Sequence, residues 1–298
     1  MNNKEKIENM NFLIIGDIMV DVYLIGDVNR ISPEAPVPIV EIKSKRYTLG
    51  GCGNVVKNLR NIGCKCDCIS QISNDQTGNK ILELLDELNV SNKYIINNHS
   101  LKSSTKKTRI LNKDQEIQLL RIDEEDIKDV DDCYLKFINN IDFKIYDSVI
   151  ISDYGKGMIT SNLMKVIKNK HNKIFIDPKP INKHLYDDVY MITPNKKEWD
   201  KIKDIEYKNI KYVLNTLGKR GMIIYEKNKP PIHLTSEVKN VFNVSGAGDT
   251  VISTVVVCDC LGINILNSCQ IANQSAQYVV QQPGTSYIPQ SLFLSFFE

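Results

Sequence analysis

The chain has 298 residues, 42% of them hydrophobic and 25% charged, with a formal net charge of +2. That length suits one large α/β domain or two small ones, and so balanced a charge gives no field to recruit nucleic acid or a membrane surface. No apolar stretch approaches the roughly 20 residues that span a bilayer, and residues 1–10 are polar. The chain is therefore expected in the cytoplasm, with its eight cysteines reduced.

In chain order, Phe12-Leu13-Ile14-Ile15-Gly16-Asp17 is an apolar run closed by Gly and Asp, the pattern of a buried first strand. Residues from about 22 to 48 break that pattern, with Arg30-Ile31-Ser32-Pro33-Glu34-Ala35-Pro36-Val37-Pro38 between two short apolar runs. A second break, about 97–122, alternates like half-exposed strands over 103–121, with a turn at Asn112-Lys113-Asp114. The two breaks predict a small β lid inserted into the core, suited to cover a site or to join subunits. Cys64, Cys66 and Cys68 would share a strand face, a spacing that does not close a tetrahedral metal site, and predict core packing. The four histidines show no ligand spacing, and Asp123-Glu124-Glu125-Asp126 reads as the start of a solvated helix.

Further apolar runs follow at Val149–Asp153, Ile174–Asp177, Tyr190–Thr193 and Met222–Tyr225. Helical patterns lie at Asn79–Leu88, Asn162–Lys170 and Ile265–Val280. Alternating strands and helices predict an α/β fold with a mostly parallel central sheet covered on both faces, as a single domain over 1–298. The strands end alike, in Gly16-Asp17, Ser152-Asp153, Asp177-Pro178 and Thr193-Pro194-Asn195. Carboxyl ends of strands are where such sheets bind ligands.

Near the C-terminus, Asn243-Val244-Ser245-Gly246-Ala247-Gly248-Asp249-Thr250 leads into the apolar run Val251–Val257. Free N–H groups in a helix's first turn attract anions, and glycines let a phosphate approach the backbone. A carboxylate there repels an anion. Asp249 therefore fits either a helix-capping residue or a site that moves a phosphoryl group onto a hydroxyl.

Gly16-Asp17-x-x-x-Asp21, Gly50-Gly51-Cys52-Gly53-Asn54, Asn195-Lys196-Lys197-Glu198 and Gly246-Ala247-Gly248-Asp249 occur together in one order. In this the chain resembles the ribokinase-like (PfkB) carbohydrate kinases over nearly its whole length. Arg30 to Pro38, Ser152-Asp153-Tyr154-Gly155-Lys156-Gly157 and Asp177-Pro178-Lys179 resemble the branch of that family that phosphorylates heptose 7-phosphate. The turn departs from that branch, which usually has two alanines between its Gly pair and Asn. Ser245 also stands where threonine is commoner.

The resemblance implies a ribokinase-like three-layer core and transfer from ATP, with Mg²⁺, to the anomeric hydroxyl of D-glycero-D-manno-heptose 7-phosphate. The heptose 1,7-bisphosphate formed would feed nucleotide-activated heptose for surface polysaccharide. It implies Asp249 as catalytic base, with Gly246, Ala247 and Gly248 as the anion hole. Asn195 and Glu198 would organise Mg²⁺ through water, while Thr216, Gly218, Gly221 and Asn273 would line the nucleotide site. Asp17, Asp21, Gly50, Gly51 and Asn54 would bind the sugar, and Arg109, Lys156 and Lys179, with Arg30, are the cations available to a substrate phosphate. A homodimer through the lid is implied too. With no His-x-x-His motif in the chain, the nucleotidyltransferase is expected to be a separate protein. A kinase for another sugar, and an inactive sugar- or nucleotide-binding regulator on the same fold, are the rival readings; intact Asp249, Glu198 and Asn195 count against the second.

Overall fold

A computed structural model describes residues 2–113, 117–204, 209–236, 244–282 and 286–297. Asn243, Asp114 of the expected turn, and Gln115 and Glu116 of the expected lid lie outside them. The strands are β1 (Asn11–Gly16), β2 (Ile18–Ile31), β3 (Pro38–Gly51), β4 (Lys65–Ile72), β5 (Ile95–Asn97), β6 (Lys106–Asn112) and β7 (Gln118–Glu124). They continue with β8 (Ser148–Ser152), β9 (Ile174–Asp177), β10 (Met191–Ile192), β11 (Tyr212–Thr216), β12 (Met222–Glu226) and β13 (Ile232–Leu234). The helices are α1 (Asn3–Asn9), α2 (Cys52–Ile62), α3 (Gln76–Glu87), α4 (Cys133–Asn139), α5 (Ser161–Lys170), α6 (Lys196–Ile202), α7 (Ala247–Cys260), α8 (Ile265–Val280) and α9 (Gln290–Ser295).

Nine strands form the central sheet in the order β13-β12-β11-β10-β9-β8-β1-β4-β5. All run parallel except β12, which pairs antiparallel with both neighbours. The period of two in β1 decides the layering. Phe12 and Ile14 join one apolar cluster, with Val55 of α2 and Val255 of α7. Leu13 and Ile15 join the other, with Ile138 of α4, Leu163 of α5 and Ile202 of α6. Because both faces are covered, these strands read as continuous apolar runs. Cys64, Cys66 and Cys68 are buried free thiols in the first cluster, as expected. Among the described residues no helix is long and apolar enough to cross a membrane.

The lid is a second sheet, ordered β3-β2-β6-β7. Its first segment is longer than expected: β2 and β3 already pair at Ile18↔Gly51. Ile18, Val20 and Val22 are buried, so their hydropathy matches that of the core strand before them. The second begins later, at Lys106, because much of 98–105 is loop. The acidic run 123–126 is not a helix start. Asp123 and Glu124 end β7, opposite Lys107 and Lys106 of β6, and Lys106 pairs with Glu124 at 2.7 Å. Strand pairing with a basic neighbour answers the charge there.

Candidate active site

Two helix N-termini converge on the site. Helix α2 starts at Gly51, whose φ of 58° is left-handed and whose added Cβ would lie 2.1 Å from the Asp17 carbonyl oxygen. A Cβ on Gly50 would lie 2.7 Å from Asp21 Oδ2, so the glycine pair lets the turn close over two carboxylate-bearing positions. Helix α7 starts at Gly246, also left-handed at φ 82°. Neither start has a side-chain cap. At α7, Gly248 is exposed, leaving an open first turn with its partial positive charge.

The third residue of each helix meets the other: Asn54 Nδ2 donates to Asp249 Oδ2 at 2.7 Å. One turn deeper, the Thr250 hydroxyl donates to Asn58 Oδ1 at 2.9 Å, fixing the approach. Tyr154 donates its hydroxyl to Asp249 Oδ1 at 3.3 Å. Asp249 is only 4% exposed. Burial pushes its carboxyl up to about 6; the bonds from Asn54 and Tyr154 hold it down, the Asp21 charge pushes it up, and Lys179 lowers it. Asn54 Oδ1 is buried with no protein partner among the described residues, an acceptor left for a hydroxyl donor. The capping role weighed for Asp249 is not what the geometry supplies, since its oxygens go to Asn54 and Tyr154.

The loop after β8 carries Tyr154, and Asp17 holds that loop. Its carboxylate accepts the backbone N–H groups of Tyr154 (2.8 Å), Lys156 (3.1 Å) and Met158 (3.0 Å). Burial, then repulsion from Asp153, pushes Asp17 up to about 6, against those three donors. Asp21, by contrast, points from the lid toward the base and pairs with Arg109 at 2.6 Å.

A cavity of about 570 Å³ opens from Asp249 toward β11 and α8. Asn195, Glu198, Thr216, Gly218, Gly221, Lys179 and Asn273 all line it, as does Gly246-Ala247-Gly248. Gly218 and Gly221 are left-handed, at φ 59° and 84°; a Cβ on Gly221 would meet the Leu234 carbonyl oxygen at 1.9 Å. Asn273 turns its amide to the Thr235 carbonyl, 2.8 Å away. Asn195 and Glu198 cap α6 reciprocally: Asn195 Oδ1 accepts the Glu198 N–H and Glu198 Oε2 accepts the Asn195 N–H. Lys179 reaches Glu198 Oε1 at 2.6 Å.

Asp177 lines the same cavity. Burial first, then the charges of Asp249 and Glu198, push its carboxyl well above the usual range. Among the described residues no cluster of three or more ligating side chains closes on a point. The donors fit a hard cation held through water and substrate phosphate, which Mg²⁺ prefers, and the mutual repulsion of these carboxylates is what such a cation relieves.

Of the cations named from sequence, Arg30 lies exposed at the far end of β2. Lys156 pairs with Glu125 at 2.5 Å and does not line the cavity. Lys179 lines the cavity and pairs with Glu198, whereas Arg109 pairs with Asp21 on the lid and does not line the cavity. Sequence reasoning missed Asn58, Tyr154 and Asp177 as site residues, although Tyr154 and Asp177 sit at the carboxyl ends of strands, where polar residues were expected to gather.

The profile of the pfkB family carbohydrate kinases matches residues 10–291. The chain belongs to that family. Its class of chemistry, ATP-dependent phosphorylation of a sugar hydroxyl, comes with the membership. The bifunctional protein HldE of Aliarcobacter butzleri is 36% identical over 93% of the chain and 62% of its own length. That of Campylobacter fetus is 35% identical over 93% and 64%. The chain thus spans somewhat under two thirds of these curated relatives. Among solved structures, Arabidopsis thaliana ribokinase complexed with ribose and ATP superposes with a TM-score of 0.73 at 17% identity, covering 97% of this chain and 99% of that one. Escherichia coli phosphofructokinase-2 gives 0.76 at 13%, covering 97% and 98%. Both share the ribokinase-like fold.

Proposed function

We propose that this pfkB-family kinase phosphorylates D-glycero-D-manno-heptose 7-phosphate at its anomeric hydroxyl, yielding heptose 1,7-bisphosphate for nucleotide-activated heptose and surface polysaccharide. The observation that carries the reading is the Asn54–Asp249 bond. It joins the glycine turn suited to a sugar to the glycine turn suited to a phosphoryl group. The heptose assignment is supported by the Arg30 to Pro38, Ser152 to Gly157 and Asp177 to Lys179 segments and by the likeness to the HldE proteins.

In this reading Asp249 takes the proton from the acceptor hydroxyl as the hydroxyl oxygen attacks the γ-phosphorus of ATP, the bond from that phosphorus to the β–γ bridging oxygen breaks, and ADP leaves. Asn54 and Tyr154 hold the carboxylate in position, and the open first turn of α7 faces the phosphoryl group in transfer. Asp21 and Asn54 orient the sugar. Glu198 and Asp177, with Asn195, would hold Mg²⁺ through its water shell, and the ion would supply neutralisation of phosphate charge. Thr216, Gly218, Gly221 and Asn273 accommodate the nucleotide. Turnover is measured with heptose 7-phosphate, unphosphorylated heptose, ribose and fructose; preference for an unphosphorylated sugar rejects the assignment.

We also propose a homodimer through the lid. Leu120, Ile122 and Tyr47 share its outer face with Val22 and Leu24, and are 53%, 43% and 40% exposed. Light scattering that finds a monomer at working concentration removes that proposal.

A further inference from the structure

The inner face of the lid carries Asp21 of β2, Lys107 and Arg109 of β6, and Arg121 and Asp123 of β7, alternate residues on paired strands. Nearly every charge there has a partner. Arg109 takes Asp21 at 2.6 Å, Arg121 takes Asp123 at 2.9 Å, and just beyond the lid Lys156 takes Glu125 at 2.5 Å. Across the site Lys179 takes Glu198 at 2.6 Å.

Arg46 of β3, in register with Tyr23 on the same face, has no carboxylate partner among the described residues either, but it is exposed and lies over the Tyr23 ring at 4.5 Å, which leaves Lys107 as the half-buried exception. It stands between Asp21 and Asp123 in register, yet both carboxylates are bound to arginines. Its ammonium instead lies 5.7 Å from the centroid of the Tyr154 ring, the tyrosine that donates to Asp249. Lys179 lies over the same ring at 5.1 Å. Burial pulls the Lys107 ammonium below its usual value; Asp21 and Asp123 oppose that, and the charges of Lys156 and Arg121 add to it. A half-buried cation without a counter-ion is costly unless a ligand supplies one. An unphosphorylated sugar has no such charge, whereas a sugar phosphate bound under the lid brings a dianion.

We infer that Lys107 binds the phosphate the acceptor already carries, and so sets the kinase's preference for phosphorylated over free sugars. The inference rests on the heptose 7-phosphate reading and adds a residue the sequence did not single out. Lys107 is a binding residue here, placed beside the base without touching it. A charge-assisted contact of this kind is worth a factor of about 10–100 in affinity.

The test is steady-state kinetics of wild type, Lys107→Met and Lys107→Arg with heptose 7-phosphate and with unphosphorylated heptose. ATP binding and circular dichroism report that each variant folds. The expected result is that Lys107→Met raises KM for the phosphorylated acceptor about 10- to 100-fold, lowers the ratio of kcat/KM between the two acceptors as much, and is largely rescued by Lys107→Arg. Wild type that prefers the phosphorylated sugar, with Lys107→Met keeping the same ratio, overturns the role of Lys107 alone. Wild type that prefers the free sugar overturns both this role and the substrate reading.

Discussion

Asn54 and Asp249, each the third residue of its helix, meet at 2.7 Å although 195 positions separate them in sequence. The bond makes one site of two helix starts, so a change on either side is read on the other. Replacing Asp249 by Asn keeps the volume and a bond to Asn54 but removes the proton acceptor. General-base catalysis is worth roughly 10²- to 10⁴-fold. Asp249→Asn is expected to lose at least that much in kcat while the Kd for ATP changes little, as measured by single-turnover kinetics and calorimetric titration. Unchanged turnover rejects Asp249 as the base.

The same contact predicts a pH dependence. A base must be ionised to act, and burial raises Asp249 to about 6. The kcat/KM of the wild type is therefore expected to fall as pH drops through about 6, tenfold per unit below it. Asn54 holds that value down, so Asn54→Ala moves the acid limb to higher pH and lowers the plateau. An acid limb that stays at its wild-type position in Asn54→Ala assigns the titration to another group.

Much of the fold was legible because buried parallel strands leave continuous apolar runs: Phe12–Ile15, Val149–Ile151 and Ile174–Ile176 all fall in the central sheet. The lid's true start was not, since Ile18 to Val22 are as apolar as the core strand they follow and only pairing tells the sheets apart. In the site, glycine turns marked Asp249 and Asn54 from sequence, because backbone requirements leave a local trace. Tyr154 was legible only by its place after a strand end: its role depends on where Asp17 ties the loop after β8, a contact across 137 positions. Lys107 left no local trace: its neighbours' carboxylates are already bound to arginines, which is a property of strand register.

Asp249 also carries a stability cost that follows from its placement. Its folded-state value of about 6 exceeds the ordinary 3.8. Protonation thus favours the folded state: the benefit is complete below about 4 and lost as pH rises through about 6, a difference of about 3 kcal/mol at most. Asparagine does not ionise. The Tm of Asp249→Asn relative to wild type, followed by calorimetry without ligands, is expected to rise from pH 4 to pH 7. A difference that is flat over this range contradicts the raised value.

Asp17 offers a choice between two roles, sugar binder and loop anchor. Three backbone donors converge on its carboxylate, and Asp17→Ala orphans all of them in the interior. The expected loss is about 2–4 kcal/mol, or roughly 3–6 °C in Tm, accompanied by lower kcat as Tyr154 leaves Asp249. If KM for the sugar rises while Tm holds, Asp17 acts on substrate and not on the loop.

Glu198 serves two functions that one substitution separates. It closes the capping box of α6 with Asn195, and it places negative charge beside Asp177 and Lys179. Glutamine closes a capping box as well as glutamate does, so Glu198→Gln preserves the helix start and removes the charge. If the carboxylate serves the metal, the Mg²⁺ concentration giving half-maximal activity rises about tenfold or more at saturating ATP, while Tm shifts by no more than a few degrees. Asp177→Asn, which relieves the same repulsion, is expected to shift the Mg²⁺ requirement in the same direction. A Glu198→Gln enzyme with wild-type Mg²⁺ dependence limits Glu198 to holding α6 and Lys179 in place.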